Sequence, residues 1–435
     1  MRDMKDSGIE WIGDIPAEWN VIAFWQAIDR MATGLNPREN FILTKEDEFY
    51  YVTIANFKDG QLFLDDKCDR ISKKAWAIIQ ERSDLHKGDI LFASISKDGQ
   101  AYLLSQEPVN WNINESVFCI RANRKLYDER YFYWQLINPE YYNDLRMDAT
   151  GSTFQSIKQN KLRKSRLVLP PLPEQQQIAD YLDRKCDDID SVIAMTRTSI
   201  EEYKNLKQSI ITEAVTKGVR GDRPMKDSGI DWIGYVPEEW GIIRGKNVFR
   251  ERNERGNIVN LQLLSPTQKY GVIPQEEYEK LTGMKAVKLE ESIELTTLKS
   301  IYKNDFCISL RSFQGGFEYS KYDGVVSPAY HVFHSTTDIS YAYYKYLFKE
   351  ISFINKMASL TKTFRDGKSI SFRDFASSFI PIPPITEQQE IADYLDDKCA
   401  EIERLISMKE QYIAELESFK KSLIYECVTG KREVA

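Results

Sequence analysis

The sequence is poor in the residues that most often carry catalysis and metal binding. Its 435 residues include only three histidines and six cysteines, and no two cysteines are spaced as a CxxC pair. The missing spacing argues against zinc knuckles and redox motifs, and dispersed cysteines are typical of a reducing compartment. No run of about eighteen apolar residues exists, so no transmembrane helix is predicted. The N-terminal residues MRDMKDSG have no signal-peptide features, and we expect a cytoplasmic protein.

Short matches to catalytic motifs are incomplete. GIIRGK (241–246) has three residues between its glycines where a phosphate loop has four, and no Ser or Thr follows the lysine. INPEYY (137–142) lacks the second proline of the Asn-Pro-Pro-aromatic motif of adenine methyltransferases, and no glycine-rich cofactor loop precedes it. His331 and His334 are three residues apart in a predicted strand and therefore lie on opposite faces. We predict neither a catalytic residue nor a metal site.

A long internal repeat is the main feature that the sequence does contain. MKDSGIEWIGDIPAEW (4–19) returns as MKDSGIDWIGYVPEEW (225–240), with twelve of sixteen positions identical. EQQQIADYLDRKC (174–186) returns as EQQEIADYLDDKC (387–399), with eleven of thirteen identical. Repeats of this length indicate a duplicated domain. We predict four segments: a domain at 1–169, a long helix at 170–218, a second domain at 219–382 and a second long helix at 383–435.

Both segments that begin at EQQ are predicted to be long helices with one apolar seam. The heptad-spaced apolar residues are Ile178, Leu182, Ile189, Val192, Ile193, Ile200, Tyr203, Leu206 and Ile210 in the first helix, and Ile391, Leu395, Ile402, Leu405, Ile406, Ile413, Leu416, Phe419 and Leu423 in the second. Because a single seam is not stable in water, we expect the helices to pair as an antiparallel coiled coil with pseudo-two-fold symmetry. The alternative is that each helix packs on its own globular region.

Between the repeats lie a first variable region (20–169) and a second variable region (241–382), which share an order of elements. Each has a strand candidate (85–95 and 301–310), an aromatic helix candidate (128–137 and 338–347), a polar basic loop and a final strand running into proline. The predicted fold class is α+β, with two globular α/β-type domains joined by the two long helices. We expect the aromatic helices to pack in the core; base stacking is the alternative.

Charge is distributed unevenly between the repeated and variable parts. The net charge of −7 combines +1 in residues 20–169, +5 in residues 241–382 and −13 in the remainder. Because a phosphate backbone responds to local charge, the acidic total does not exclude DNA as a partner of the variable regions.

The duplicated DSGI-x-WIG-x-x-P-x-x-W segment, the EQQ-x-IA-x-YLD motif and the heptad helices together resemble the specificity subunit of type I restriction-modification systems. The resemblance covers nearly the whole chain. It implies two target-recognition domains, each reading one half of a bipartite, asymmetric double-stranded DNA site. It also implies that the coiled coil acts as a spacer and docks the modification (methyltransferase) subunits.

The same resemblance implies two methyltransferase subunits and two restriction-translocase subunits as partners. This chain would itself be non-catalytic and hold no cofactor, with S-adenosylmethionine, ATP and magnesium on the partner subunits. The assembled complex would have adenine methyltransferase and ATP-dependent endonuclease activity. Two alternatives remain open from the residues alone: a structural coiled-coil adaptor, and a single-chain DNA methyltransferase or nuclease.

Candidate DNA contacts are basic and polar residues of the predicted loops, since such side chains bind phosphates and base edges. They are Lys97, Thr150, Ser152, Thr153, Gln155, Lys158, Lys161, Arg163, Lys164, Arg311, Ser312, Gln314, Lys362, Thr363, Arg365 and Lys368. A weaker set is Asn56, Lys58, Ser265, Thr267, Gln268 and Lys269. Candidate coiled-coil and partner residues are Ile178, Leu182, Ile189, Val192, Ile391, Leu395, Ile402 and Leu405. We expect Trp11, Trp19, Trp232 and Trp240 either to attach each variable region to the helices or to fill local core.

Overall fold

The computed structural model describes residues 2–38, 40–58, 61–95, 100–146, 156–256, 262–284, 294–308, 316–360 and 370–434. The chain divides into two compact units. The first unit comprises Met1–Thr196 and Glu410–Ala435, and the second unit comprises Arg197–Lys409. This division passes through both long helices, so each unit contains one variable region and a part of each long helix. The four segments drawn from the sequence stay a prediction.

The first variable region mixes short strands and helices, as expected. The elements from the N-terminus to the first long helix are β1 Met4–Asp6, β2 Asp14–Pro16, β3 Asn20–Ala23, β4 Ile28–Thr33, β5 Phe49–Val52, β6 Phe57–Lys58, β7 Gln61–Leu62, β8 Arg70–Ile71, α1 Lys73–Ser83, β9 Ile90–Ala93, β10 Ala101–Leu103, β11 Trp111–Ile113, β12 Val117–Ala122, α2 Glu129–Leu136, α3 Pro139–Arg146, α4 Gln159–Lys164, β13 Arg166–Leu169 and α5 Leu172–Lys217. The main sheet is antiparallel in the order β10-β9-β12-β4, and β13 pairs with β3 next to the start of α5.

The second variable region repeats this plan. Its elements, through the second long helix, are β14 Met225–Asp227, β15 Tyr235–Pro237, β16 Gly241–Arg244, β17 Phe249–Arg252, β18 Leu264–Thr267, β19 Gly271–Pro274, α6 Gln275–Thr282, β20 Lys299–Ile301, β21 Phe306–Ile308, β22 Phe317–Tyr319, β23 Gly324–Val326, β24 His331–Ser335, α7 Tyr341–Leu347, α8 Ile351–Ser359, α9 Phe372–Ser377, β25 Phe379–Ile382 and α10 Ile385–Val428. The antiparallel sheet β22-β21-β24-β17 corresponds strand for strand to that of the first region, and β25 pairs with β16 as β13 does with β3.

In the first unit, α5 and α10 pack against each other in an antiparallel direction. Asp190 binds Lys420 at 2.6 Å, and Tyr181, nearer the start of α5, binds Arg432 beyond the end of α10. Residue numbers therefore rise along one helix as they fall along the other. The apolar residues between the helices join the core of the first variable region; they are Ile178, Leu182, Ile189 and Ile193 from α5, and Leu423, Ile424, Cys427 and Val428 from α10.

The second unit has the same arrangement with the helices exchanged. Tyr203 lies under the Lys409 ammonium at 5.5 Å, and Arg220, just past the end of α5, binds Glu390 at 2.9 Å near the start of α10. Shared core residues are Ile211, Ala214 and Val215 from α5, and Ile391, Leu395 and Cys399 from α10. Antiparallel helix pairing is thus present in each unit, as the heptad pattern predicted.

The predicted seam was wrong at one pair of equivalent positions. Leu206 is 48% exposed and Phe419 is 50% exposed, although both continue heptad series that begin at the buried Ile178 and Ile391. A straight α-helix drifts by about 20° per heptad relative to a 3.5-residue repeat. Over the four heptads that separate these residues the drift amounts to roughly 80°. Drift alone does not decide exposure, since Leu423, which follows the buried Leu395 by the same four heptads, is buried.

The aromatic helices α2 and α7 belong to the core. Tyr131 and Phe132 of α2, and Tyr343 and Tyr344 of α7, are fully buried. Their rings lie in the same apolar clusters as the long helices. Core packing is therefore confirmed for these four rings, which have no exposed face for base stacking; Tyr133 and Tyr341 of the same helices are half-buried.

Candidate nucleic-acid interface

Each variable region is attached to the first turn of one long helix by a cluster of one tryptophan, one glutamate and one arginine. In the first unit, Trp19 donates its indole N–H to Glu174 Oε2 at 2.9 Å. Arg2 donates to both carboxylate oxygens of Glu174 at 2.6 and 2.8 Å. Glu174 lies in the first turn of α5, where the helix dipole favours a negative charge. We call this arrangement the Trp–Glu–Arg cluster.

The second unit contains the same cluster, more deeply buried. Trp240 donates its indole N–H to Glu387 Oε2 at 3.0 Å, and Arg223 binds the other carboxylate oxygen. Glu387 is fully buried in the first turn of α10. The hydrogen bond to Glu387 raises the pKa of the Arg223 guanidinium, so the cation is fixed. Trp19 and Trp240 therefore both fill core and attach the variable regions to the helices, which unites the two readings of these residues.

The glutamates and arginines of these clusters were not among the functional residues predicted from the sequence. Arg2 and Arg223 stand two residues before the duplicated MKDSG, and Glu174 and Glu387 begin the duplicated EQQ. Extending the repeat upstream by two positions would have identified the arginines. Their pairing with the glutamates could not be found in this way, because the partners are 172 residues apart in the first unit and 164 in the second.

A glutamine next to each glutamate forms a second attachment. Gln175 donates to the Pro170 and Leu126 carbonyls and accepts from the Asp128 backbone N–H. Gln388 donates to the Pro383 carbonyl and accepts from the Ser340 backbone N–H at 2.9 Å. Asp128 and Ser340 are the N-caps of the aromatic helices α2 and α7.

A tyrosine hydroxyl forms the third attachment. Tyr131 of α2 donates to the Val428 carbonyl at the end of α10, at 3.1 Å. Tyr343 of α7 donates to the Val215 carbonyl in the last turn of α5, at 2.9 Å. Carbonyls of a last helical turn have no partner within the helix, so each hydroxyl satisfies one. Each variable region is thus fixed to the start of one long helix and the end of the other.

The helix α4 and its N-cap carry four of the basic candidate DNA contacts of the first variable region. Leu162 is fully buried and anchors the helix, while Lys158, Arg163 and Lys164 are exposed. Lys161 is half-buried and donates to the Asp144 carbonyl at 3.2 Å. Of the four candidate DNA contacts in this helix and at its N-cap Lys158, three are exposed to solvent and one is engaged within the fold.

The equivalent helix α9 is much less basic. Phe375 is its buried anchor, Arg373 is exposed, and Asp374 forms a capping box with Ser371. The two variable regions thus share a backbone plan at this position while presenting different side chains. Such a difference is expected of two surfaces that recognise different partners or sequences.

Twelve of the candidate DNA-binding residues lie outside the residues that the structure describes, and they stay predictions. They are Lys97, Thr150, Ser152, Thr153, Gln155, Arg311, Ser312, Gln314, Lys362, Thr363, Arg365 and Lys368.

Within the weaker set of candidates, the structure contradicts Ser265. Its side chain is fully buried, and its hydroxyl lies 3.5 Å from the Gln275 side-chain oxygen. Asn56 is also engaged internally, since its side chain accepts from Thr53 and donates to Cys68. The polar composition of these turns reflects local hydrogen bonding, which explains why it was mistaken for a binding surface.

Exposed apolar side chains occur on the long helices of both units. In the first unit they are Met195, Tyr412 and Phe419, and in the second unit they are Leu206, Ile385, Tyr394 and Met408. Four of these residues are duplicated positions: Met195 corresponds to Met408, and Leu206 corresponds to Phe419 after the same shift of the repeat. Apolar residues repeated on a solvent-facing side are typical of interaction surfaces.

Two dissimilar α/β regions, each held by the same contacts to duplicated helices, define a protein of tandem recognition modules. Comparison with known families specifies the class. The model of the type I restriction modification DNA specificity domain matches residues 33–202 and 237–417. The chain belongs to this family, and its role is DNA sequence recognition in a type I restriction-modification system.

Similar proteins agree with this assignment. The chain is 24% identical over 97% of its length to the provisionally assigned MjaX type I restriction enzyme specificity subunit of Methanocaldococcus jannaschii, covering 96% of that protein. It is 22% identical over 78% of its length to the EcoBI specificity subunit of Escherichia coli, covering 73% of it.

Solved structures support the fold. One, from a study of complex assembly and conformational transition of the type I R-M system, matches with a TM-score of 0.69 at 16% identity and covers 96% of this chain and 99% of that one. The HsdS subunit of Thermoanaerobacter tengcongensis matches with a TM-score of 0.52 at 16% identity, covering 96% and 98%. Within the described residues, no helix is sufficiently long and apolar to cross a membrane.

Proposed function

We propose that each variable region reads one half of a bipartite, asymmetric DNA site. The observation that carries this proposal is the repetition of all three attachments, namely the Trp–Glu–Arg cluster, the glutamine and the tyrosine hydroxyl, around variable regions that differ in sequence. A scaffold that fixes two different modules in the same way suits the recognition of two different half-sites. The basic charge of the variable regions supplies the attraction to phosphate.

The long helices set the spacing between the half-sites in this proposal. The helices α5 and α10 have 46 and 44 residues, which at a rise of 1.5 Å corresponds to about 65–70 Å each. Antiparallel packing in each unit stiffens both. Because half-site separation is a geometric property of the protein that binds them, a stiff helical pair is suited to fix it.

The exposed apolar residues of the helices dock the methyltransferase subunits. Because they occur as duplicated positions, two identical partners could use the same chemistry, one at each copy. The restriction-translocase subunits, also two, join through this assembly. This chain itself is non-catalytic, and S-adenosylmethionine, ATP and magnesium are held by the partners, so that adenine methylation and ATP-dependent cleavage belong to the cytoplasmic complex.

A footprint of DNA bound to the chain with its methyltransferase subunits tests the proposal. We expect two protected patches separated by an accessible gap. A structural adaptor would leave no footprint that depends on this chain, and a single continuous patch would contradict the two-reader arrangement. Incubating the isolated chain with S-adenosylmethionine and DNA should transfer no methyl group; transfer would show that the chain is itself an enzyme.

A further inference from the structure

The first variable region exposes a tryptophan that the attachments do not use. Trp25 is 58% exposed, whereas Trp19, six residues earlier, is fully buried. Trp25 lies in the 3₁₀ turn Phe24–Gln26, which directly follows β3. It stands outside the duplicated segment 4–19, in the part of the chain where the two halves differ.

This turn is held firmly against the basic helix α4. The Phe24 backbone N–H donates to the Ser165 carbonyl at 2.8 Å, immediately after α4 ends. Phe24 and Leu162 are both fully buried in the same cluster. The turn that carries the exposed Trp25 indole is therefore fixed to the helix that carries Arg163 and Lys164 and to its N-cap Lys158. The sequence from 149 to 169 contains no Asp or Glu.

The second variable region keeps the backbone arrangement and changes the side chains. Its turn Gly245–Asn247 donates from Gly245 N–H to the Ser378 carbonyl at 2.8 Å, which is the equivalent hydrogen bond. Lys246 occupies the position of Trp25 and is exposed. Arg244 occupies the position of Ala23 and is also exposed. Positive charge that the first region carries on α4 is thus carried by the turn in the second region, beside the weakly basic α9.

We propose that these two turns are part of the DNA-binding surface, with Trp25 making an apolar contact to bases or sugars and Lys246 making a phosphate contact. The proposal rests on the proposed function and adds residues to it. On a duplex, an apolar side chain can contact sugars and thymine methyl groups while nearby cations neutralise phosphates. Because the neighbouring side chains are cations, an anionic ligand complements this surface.

The difference between the two turns favours DNA over a partner protein as the occupant. A partner present in two identical copies should meet the same side chains at both copies, as it does at the duplicated helix residues. A tryptophan in one region and a lysine in the other is instead what two readers of different sequences require. Contact of Trp25 with a methyltransferase subunit is the competing outcome that the experiment must separate.

The test uses the chain assembled with its methyltransferase subunits and a duplex that contains the methylated site mapped in cells. Trp25→Ala should weaken binding roughly tenfold, the order expected for the loss of one base contact, with no change in salt dependence. Lys246→Ala should reduce the slope of log affinity against log salt by roughly 0.9, and Trp25→Lys should increase it by about the same amount. Ile42→Ala, at an exposed apolar residue of the same variable region, is the matched control and should change neither quantity.

The outcomes separate the inference from the function on which it rests. Wild-type affinity for the site is measured first, and its absence would contradict the proposed function and this inference together. Wild-type binding that Trp25→Ala leaves intact would contradict the inference alone. A Trp25→Ala chain that assembles poorly with methyltransferase subunits but, once assembled, binds DNA as the wild type does would also contradict the inference, because Trp25 would then contact the partner protein. Unchanged thermal unfolding of each variant establishes that folding is not the cause.

Discussion

Glu387 shows how a single buried side chain can determine where a whole domain is held. Its carboxylate accepts from the Trp240 indole and from Arg223, and it has no exposure to water. Glu387 lies at the start of α10, Trp240 lies in the duplicated segment 225–240, and Arg223 lies in the linker before that segment. A carboxylate in this position is stabilised by the first turn of its helix and by the arginine, which together offset the cost of burying the charge.

Replacing Glu387 by alanine should therefore destabilise the second unit by about 1–3 kcal/mol, because the buried indole N–H loses its acceptor and Arg223 keeps only the exposed Glu239 as a carboxylate partner. Glu387→Gln should cost less, since an acceptor for Trp240 is retained. The measurement is urea unfolding followed by fluorescence. Glu390→Ala, which removes the exposed partner of Arg220, is the control and should have little effect. Equal effects of the two alanine variants would mean that the cluster is not an attachment.

At the scale of elements, the long helices are stabilised by burial at some heptad positions only. Leu182 and Leu395 are fully buried at equivalent positions, whereas Leu206 is about half exposed. Leu182→Ala and Leu395→Ala should each destabilise their unit by about 2–5 kcal/mol, the usual cost of a cavity left by a buried leucine. Urea unfolding measures this. A Leu206→Ala change should leave stability nearly unchanged, and a loss as large as that of Leu182→Ala would contradict the helix pairing described.

The same Leu206→Ala variant separates stability from assembly. In the proposed function, Leu206 belongs to the surface that docks methyltransferase subunits. Its removal should weaken assembly with those subunits, measured by analytical ultracentrifugation, while the fold is retained. Assembly at wild-type affinity would remove this residue from the docking surface.

Elements were predictable from the sequence where the signal is local. The heptad pattern and the prolines before each EQQ indicated helices that the structure places at Leu172–Lys217 and Ile385–Val428. Composition and turn residues also predicted the aromatic helices and the strand Ile90–Ala93, which lies within the strand candidate 85–95. The exposure of Leu206 was not predictable from a seven-residue count, because Leu206 and Leu423 each follow a buried seam residue by four heptads and only Leu423 is buried.

The candidate site was predictable only in part. The basic residues of α4 were recognised from charge alone, and three of them are exposed. Trp25 was missed because a lone tryptophan outside the repeat carries no local signal of exposure, whereas Trp19 was recognised because Trp240 repeats it. The pairing of Trp19 with Glu174 spans 155 residues, a separation at which neither periodicity nor spacing carries information.

At the scale of the whole molecule, the duplication explains how one scaffold can serve changing specificities. The Trp–Glu–Arg cluster and the glutamines lie in or beside the repeated segments, whereas Tyr131 and Tyr343 lie at equivalent places in the variable regions. A variable region can therefore be exchanged for one that keeps this tyrosine without altering the contacts that hold it. This modularity predicts that the two halves of the recognised site are independent of each other.

Exchange of residues 241–382 for the matching region of a relative, followed by mapping of methylated DNA in cells that also contain the partner subunits, tests this most directly. The account predicts that one half of the methylated site changes, while the other half and the spacing between the halves are retained. A change in both halves, or a new spacing with the helices untouched, would contradict it.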